Sequence, residues 1–277
     1  MDFRFRRLLA GTTGLTAVLM LLGVFTASSA AGLTCAGRWP FCDGFLGLFP
    51  ANWMSFIEWF HRLVAMITGF VILGVAGVAW RRGADRRIRW ALVGAIVLLP
   101  IQILLGALTV TLNGLFPGGY SPPIQAAHYL TALVIFAGLA GATALAYAPI
   151  ERSRLRLAAL FAAAIAPLQF LFGLGAGIWY GPYYQVGYYA LSLALFAAGT
   201  GVAVWAGDTR RLRSLTVVAA VLLSFQMLLG RRLLGVADPL LTNAVAAGVL
   251  GTFVGVALLA YRIDGVPLPV VGDIVSR

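Results

Sequence analysis

Residues 55–80 read SFIEWFHRLVAMITGFVILGVAGVAW, an apolar stretch long enough to cross the hydrocarbon core of a bilayer as one helix. Its charged side chains, Glu58 and Arg62, both lie near the first end of the stretch, on either side of His61. Polar and ionisable groups at membrane depth are costly and mark functional sites. The stretch therefore predicts a membrane helix that carries a functional group close to one face of the membrane.

The same apolar pattern recurs along the chain. The sequence is 61% hydrophobic and 10% charged, whereas a soluble domain carries about 25% charged residues. We therefore expect an all-α membrane protein of eight transmembrane helices. The predicted spans are 8–28, 55–80, 90–112, 123–148, 156–178, 184–206, 214–234 and 239–261.

Arginines set the predicted orientation of these spans. Most of them precede the first span, follow the last, or lie in every second loop. Because cytoplasmic loops are enriched in basic residues, both termini are predicted to be cytoplasmic. This distribution also explains the net charge of +11, so no nucleic-acid partner is expected.

The N-terminal segment resembles a signal peptide, because an arginine-rich start and an apolar run are followed by the small residues of 27–31. The apolar run is long for a signal peptide, and its removal would leave seven spans. An uncleaved first helix is therefore expected.

An internal repeat divides the chain. The motif Gln102–Gly106 in span three returns as Gln226–Gly230 in span seven, and an even number of spans between copies preserves orientation. This predicts two pseudo-symmetric four-helix bundles, residues 1–150 and 151–277. A third copy, Gln169–Gly173, indicates that such strings also recur by chance. The glutamines are interpreted as interhelical contacts, although Gln102 could also touch a cofactor edge.

The sequence has only two histidines, His61 and His128. They lie six and five residues inside spans two and four, roughly 9 Å and 7–8 Å deep, toward the extracytoplasmic face. A neutral imidazole is a common ligand of transition metals, and two at matching depth on different helices suit an axially ligated haem. Zinc normally takes four ligands. The alternative is a pair of unrelated interfacial histidines bonded to loops or water.

Two charged residues flank His61 on the helix. Glu58 lies on the same helical face, where it could hold a proton or orient a substrate, or could be a solvated acid of the first helical turn. Arg62 could pair with a haem propionate, extend outward, or pair with Glu58.

The chain has two cysteines, Cys35 and Cys42, in one predicted extracytoplasmic loop. That side of the membrane permits disulfides, and the six-residue gap allows a small ring. A structural staple and a redox role both remain open. Arg38 and Trp39 between them make the loop tip basic and aromatic, which suits an interface or a ligand mouth.

These motifs together resemble the haem A synthase family of cytochrome oxidase assembly proteins. The resemblance covers residues 8–148 and is carried by Gly32–Cys35, Trp39–Cys42, Glu58–Arg62, Gln102–Val110 and the His128 helix. It implies oxidation of the C8 methyl of haem O to a formyl group, by successive oxygen-dependent hydroxylations, for terminal oxidase assembly. Haem O is then the substrate and haem A the product. The implied partners are a haem O synthase, terminal oxidase subunits and an unidentified electron donor, in the plasma membrane of a prokaryote.

The resemblance also implies residue roles. His61 and His128 are haem ligands, Glu58 is the essential acid near the reacting haem, and Cys35 and Cys42 form the loop disulfide. A propionate contact of Arg62 is our own inference from its position in the motif.

The second half departs from the family, whose members of this length usually have a second histidine pair for a haem b. The equivalent depths here hold Tyr188 or Tyr189 in span six and Asn243 or Ala244 in span eight. We therefore expect that the second bundle has lost its haem. Arginines 231 and 232, on the side that is otherwise poor in arginine, are candidates for contact with propionates or anionic lipid.

Two other functions fit the same residues. A b-type cytochrome that only transfers electrons needs the histidines but not Glu58. A non-enzymatic haem carrier or oxidase assembly factor also fits, and the missing histidine pair favours it.

Overall fold

The computed structural model describes residues 3–35, 38, 41–112, 121–175, 181–207, 209–234 and 238–262. These residues form eight long helices and one short 3-10 turn at Ala31–Leu33. The long helices are α1 (Phe3–Ser28), α2 (Trp53–Arg81), α3 (Arg86–Thr111), α4 (Pro122–Tyr147), α5 (Arg152–Gly175), α6 (Pro182–Trp205), α7 (Arg210–Gly230) and α8 (Pro239–Arg262). Each is long and apolar enough to cross a membrane. The prediction of an all-α, eight-span, multi-pass membrane protein is confirmed.

Several helices begin one turn earlier than hydropathy predicts. The predicted starts at residues 90, 156 and 214 are wrong, because α3, α5 and α7 begin at Arg86, Arg152 and Arg210. Hydropathy detects only the apolar part of a helix, whereas the backbone remains helical through the arginine-rich first turn. The predicted end at 234 is also too late, because α7 ends at Gly230, whereas the predicted end of span five at 178 lies outside the described residues.

Local signals fix the starts of the two helices that carry histidine. The side chain of Asn52 caps α2 by accepting the N–H of Ser55 at 3.0 Å. Helix α4 starts with Pro122, whose missing N–H needs no partner at that position. The depth of each histidine is thus set by a defined helix start.

Helices α1 to α4 form one contact group. Both α1 and α3 pack against α2 and α4, so α2 and α4 lie at diagonal positions. Helices α5 to α8 pack in the same cyclic order, and α6 also packs against α1 and α4. The pseudo-symmetry of the two groups, their status as separate units at 1–150 and 151–277, and the cytoplasmic termini stay predictions.

Side chains of α4 join the two groups. The rings of Tyr129 and Tyr189 meet edge to face with centroids 5.4 Å apart. The Tyr129 hydroxyl donates to the sulfur of Met227 at 3.4 Å. Nearer the other end of α4, the indole N–H of Trp205 donates to the carbonyl of Ala144 at 2.8 Å. Helix α4 therefore packs against helices of both groups.

Candidate functional site

The two histidines lie on diagonal helices at similar depth. His61 is eight residues beyond the first residue of α2, and His128 is six residues beyond the first residue of α4. At 1.5 Å per residue these positions are about 12 Å and 9 Å inside the helices. Both are deeper than the sequence estimate, because the helices begin earlier. The two imidazoles therefore lie at a similar depth in the first helix group.

Each histidine ring packs against a glycine of a neighbouring helix. A Cβ placed on Gly23 of α1 would lie 3.1 Å from Cε1 of His61, and a Cβ on Gly106 of α3 would lie 3.1 Å from Cε1 of His128. Such contacts are tighter than ordinary van der Waals packing, so a larger residue would displace the ring. The two glycines form cradles that let the imidazoles approach the backbone.

Both rings have an unsatisfied nitrogen. Nδ1 of His61 and Nδ1 of His128 are buried and have no hydrogen-bond partner among the described residues. Buried polar atoms nearly always have a partner, and a neutral imidazole can bind a metal through a ring nitrogen. The donor set fits two axial ligands of a haem iron.

Gln102 of α3 lies beside one of these rings. Its Nε2 is 3.3 Å from Nε2 of His128, whereas its Oε1 is buried without a partner among the described residues. The glutamine therefore acts as an interhelical contact between α3 and α4, as predicted for this residue type. Because Gln102 contacts a ring nitrogen of His128 directly, it also orients that ring.

Glu58 is buried and tightly held. Its side chain is 3% exposed, and Oε2 accepts the Cys35 N–H at 2.7 Å and the Thr34 hydroxyl at 3.3 Å. Oε1 forms an ion pair with Arg62, which also donates to the carbonyl of Phe41. The interpretation of Glu58 as a solvated acid is wrong, because the loop before α2 covers it. Of the three roles considered for Arg62, the structure shows the pairing with Glu58.

Cys35 and Cys42 form a disulfide, as the family resemblance implies. Both cysteines are fully buried, and their sulfurs lie 3.7 and 3.6 Å from the carbonyl oxygen of Ser55 on α2. The bond thus fixes the backbone N–H of Cys35 that binds Glu58. Arg38 is exposed, whereas Trp39 lies outside the described residues.

Sequence reasoning missed Asp43, an acidic residue in the loop between Cys42 and α2. Asp43 accepts the Ser55 hydroxyl at 2.8 Å and the Ala51 N–H at 3.3 Å. The hydrogen bond from Ser55 is the largest cause of a lowered pKa of Asp43. The carboxylate therefore stays ionised at neutral pH and ties the loop to the first turn of α2.

In the second helix group, a tyrosine lies between two glycines. The Tyr188 ring is 1% exposed, and its hydroxyl donates to the carbonyl of Gln226 at 3.2 Å. A Cβ on Gly230 of α7 would lie 2.9 Å from Cε1 of Tyr188, and one on Gly173 of α5 would lie 3.6 Å from Cε2. The hydroxyl of the neighbouring Tyr189 donates to the carbonyl of Met227. Tyrosine side chains thus fill this level of the second group.

Glutamines complete this filled core. Nε2 of Gln169 donates to the Ser192 hydroxyl and to Oε1 of Gln226, at 3.1 Å each. All three side chains are fully buried, and they join α5, α6 and α7. The glutamine of the third copy, Gln169, therefore makes an interhelical contact, as predicted for this residue type.

The residues proposed for span eight do not reach this core. Asn243 and Ala244 are exposed, whereas Ala246 is fully buried. A Cβ placed on Gly173 would lie 3.9 Å from the Cβ of Ala246. The depth equivalence of Asn243 or Ala244 to a second histidine stays a prediction. Arg231, one of the two arginines on the arginine-poor side, contacts Oε1 of Gln125 at 3.5 Å.

The sequence is similar to known proteins over about half of its length. Residues 51–179 match the model of a family described as cytochrome oxidase assembly protein. The haem A synthase of Bacillus licheniformis is 33% identical over 137 residues, which are 47% of this chain and 43% of that protein. The haem A synthase of Bacillus pumilus is 30% identical over 142 residues, covering 50% and 44% respectively.

Another set of relatives carries a different name. The protoheme IX farnesyltransferase of Halobacterium salinarum is 33% identical over 132 residues, which are 46% of this chain and 27% of that protein. The chain therefore spans between about a quarter and just under half of the length of these curated relatives.

Proposed function

The match over residues 51–179 and the related synthases confirm that the chain resembles the haem A synthase family, and on that premise we propose that it oxidises haem O to haem A. The reaction would convert the C8 methyl to a formyl group by successive oxygen-dependent hydroxylations during cytochrome oxidase assembly. One observation carries the proposal. The chain's two histidines lie on diagonal helices, each in a glycine cradle and each with a buried nitrogen that has no hydrogen-bond partner within the described part of the chain.

His61 and His128 would hold the haem, whose iron supplies the redox chemistry when bound. The imidazoles fix its height in the first helix group, and Gln102 orients the His128 ring through the 3.3 Å contact. Backbone packing at Gly23 and Gly106 limits how far the rings can move. The chain's part would therefore be to hold the haem near the first turns of α2, where Glu58 lies beneath the covering loop.

Glu58 is proposed as the catalytic acid. Each oxygen-dependent hydroxylation takes two electrons from an electron donor and two protons, as one atom of O2 enters the hydroxyl group and the other leaves as water. The doubly hydroxylated carbon then loses water to give the formyl group. A positioned carboxyl group can deliver protons and typically contributes 10²–10⁴-fold to a rate. Glu58 lies one helical turn from His61, on the side of the covering loop. The ion pair with Arg62 and the N–H of Cys35 would hold the carboxylate in place between proton transfers.

We propose that the first helix group binds one haem and that the second binds none. The Tyr188 ring and the glutamine network occupy the level at which a second haem would lie. Purified protein loaded with haem O is therefore expected to contain one haem per chain, measured by haem extraction against amino-acid analysis. Two tightly bound haems per chain would contradict this.

The glycine cradles give a further expected result. Gly23→Ala and Gly106→Ala each place a methyl group 3.1 Å from an imidazole carbon, and overpacking of this kind typically costs 1–3 kcal/mol. Haem affinity is expected to fall about tenfold or more in each variant, measured by spectroscopic titration.

Matched controls exist on the same helices. Gly14 of α1 and Gly94 of α3 have no atom within 4 Å of an added Cβ. Gly14→Ala and Gly94→Ala should bind haem as the wild type does. Equal affinity of the cradle variants and these controls would show that the glycines do not position the histidines.

Prenyl transfer, the activity named for the Halobacterium relative, is not proposed for this chain. Prenyl diphosphates are commonly bound through Mg²⁺, which needs carboxylate ligands in addition to the phosphates. Within the described membrane helices Glu58 is the only Asp or Glu, and it is already paired with Arg62. Incubation with protohaem and farnesyl diphosphate should therefore yield no prenylated product by mass measurement.

A b-type cytochrome remains the second candidate. The burial of Glu58 in contacts with the loop is what a purely structural acid would also show. That candidate, like the haem carrier, predicts bound haem without oxidation of the C8 methyl.

We propose further that the protein resides in a prokaryotic plasma membrane with the site toward the extracytoplasmic face, near a haem O synthase and oxidase subunits.

A further inference from the structure

A groove on the membrane-facing surface lies far along the helices from the histidines. Its volume is about 560 Å³, within the range of small-molecule sites. The walls come mainly from α6 and α7, and Leu145 of α4 closes one side. The apolar lining includes Gly199, Ala203, Val217, Ala220 and Val221. Since Val217 and Val221 are 51% and 63% exposed, the groove opens toward lipid.

Two arginines line the same groove. Arg87 belongs to the first turn of α3, and Arg213 belongs to the first turn of α7. The side chain of Arg87 is 75% exposed beside Asp85 at 3.5 Å, whereas Arg213 donates to the carbonyl of Gly207. Both helices begin here, so their positive dipole ends add to the two guanidinium charges. This end of the groove favours an anion.

The groove has the depth of one membrane leaflet. Its lining on α7 extends from Arg213 to Ser224, which are eleven residues apart and therefore separated by about 16 Å along the helix. Half of a hydrocarbon core of about 30 Å is a similar length. A molecule with a charged head at Arg213 would thus have its tail alongside Val217 and Val221.

We propose that this groove binds an anionic phospholipid from the arginine-rich leaflet. The phosphate lies between Arg87 and Arg213, and an acyl chain packs along α6 and α7, where Gly199 and Ala203 leave room. Basic pockets between membrane helices bind anionic lipid head groups in this manner. A soluble phosphate would use the arginines alone, whereas a lipid also uses the apolar walls.

Native mass spectrometry of the full-length protein tests this proposal. The protein is titrated with phosphatidylglycerol or with phosphatidylcholine, and bound lipid is counted. Wild type is expected to retain phosphatidylglycerol more strongly. Since a basic residue near an anionic lipid surface contributes about 1 kcal/mol, the double variant Arg87→Gln/Arg213→Gln should lose roughly 25-fold in affinity.

Two matched controls are available. One tests whether the position of the arginines matters beyond their charge, and the other tests whether the lipid tail contributes as well as the head group. Arg81→Gln/Arg154→Gln removes equal charge from exposed sites on the same side of the membrane and should keep the affinity. Ala220→Phe, which fills the groove, should weaken phosphatidylglycerol binding, whereas Val218→Phe on the exposed face of α7 should not. Circular dichroism of each variant checks that it remains folded.

Four outcomes would overturn the proposal. They are equal retention of the two lipids by wild type, unchanged affinity in the groove variants, equal losses in the control variants, and displacement of the bound lipid by millimolar inorganic phosphate. Haem binding is measured in the same samples. Because the groove contains neither histidine, a failed lipid result would leave the haem proposal standing, and the reverse also holds.

Discussion

Glu58→Gln is expected to abolish haem A formation while the protein still binds haem. Glutamine keeps the size of the side chain and can still accept the Cys35 N–H, but it cannot release a proton. Loss of a general acid typically lowers the rate by 10²–10⁴-fold. Expression with a haem O source, followed by pigment extraction and mass spectrometry, measures haem A against haem O.

Two further variants serve as comparisons for Glu58→Gln. Glu151→Gln removes a carboxylate from an exposed position at the start of α5 and should leave haem A output unchanged. Glu58→Asp keeps an ionisable group and should retain partial activity. Unchanged haem A output in Glu58→Gln would refute the role proposed for Glu58 and favour the cytochrome candidate if haem remains bound.

His61→Ala and His128→Ala are each expected to destroy the haem site. Each change would remove one of the two proposed haem ligands, and the deleted ring has no replacement, because the chain has no other histidine. Loss of groups outside the ligand shell already costs 10–100-fold in metal affinity, so loss of a ligand should exceed about 100-fold. Absorption spectra of the purified variants should lack the signature of paired imidazole ligands.

Added imidazole provides the check on folding. The alanine leaves a cavity beside Gly23 or Gly106 that free imidazole can enter, so haem binding should return in part. Tyr129→Phe, next to His128, serves as the control and should keep the wild-type spectrum. A normal spectrum in both alanine variants would show that the histidines do not bind the haem.

The membrane helices could be predicted because hydropathy depends on each side chain alone, summed along the chain. The helix ends could not, because the arginines at the start of α3, α5 and α7 continue the helix by backbone hydrogen bonding. Sequence also selected His61, His128 and Glu58 as candidate site residues from their rarity at membrane depth, and their roles stay predictions. These assignments need no knowledge of tertiary contacts.

Contacts between helices were beyond sequence reasoning. Gly23 lies at nearly the depth of His61, which is a usable signal, but one glycine among 33 does not attract attention. The Cys35 N–H that binds Glu58 depends on the path of the loop, which the disulfide sets. Likewise, sequence could not show that Asn243 and Ala244 are exposed whereas Ala246 is buried, because one residue turns a helix by about 100°.

Helix α4 couples the two halves mechanically. Since consecutive residues point about 100° apart around the axis, His128 faces the first group while Tyr129 packs on Tyr189 and Met227 of the second. A rotation of α4 that opened space for a porphyrin would separate those aromatic contacts. The packed second group thus limits how far the histidine site can deform.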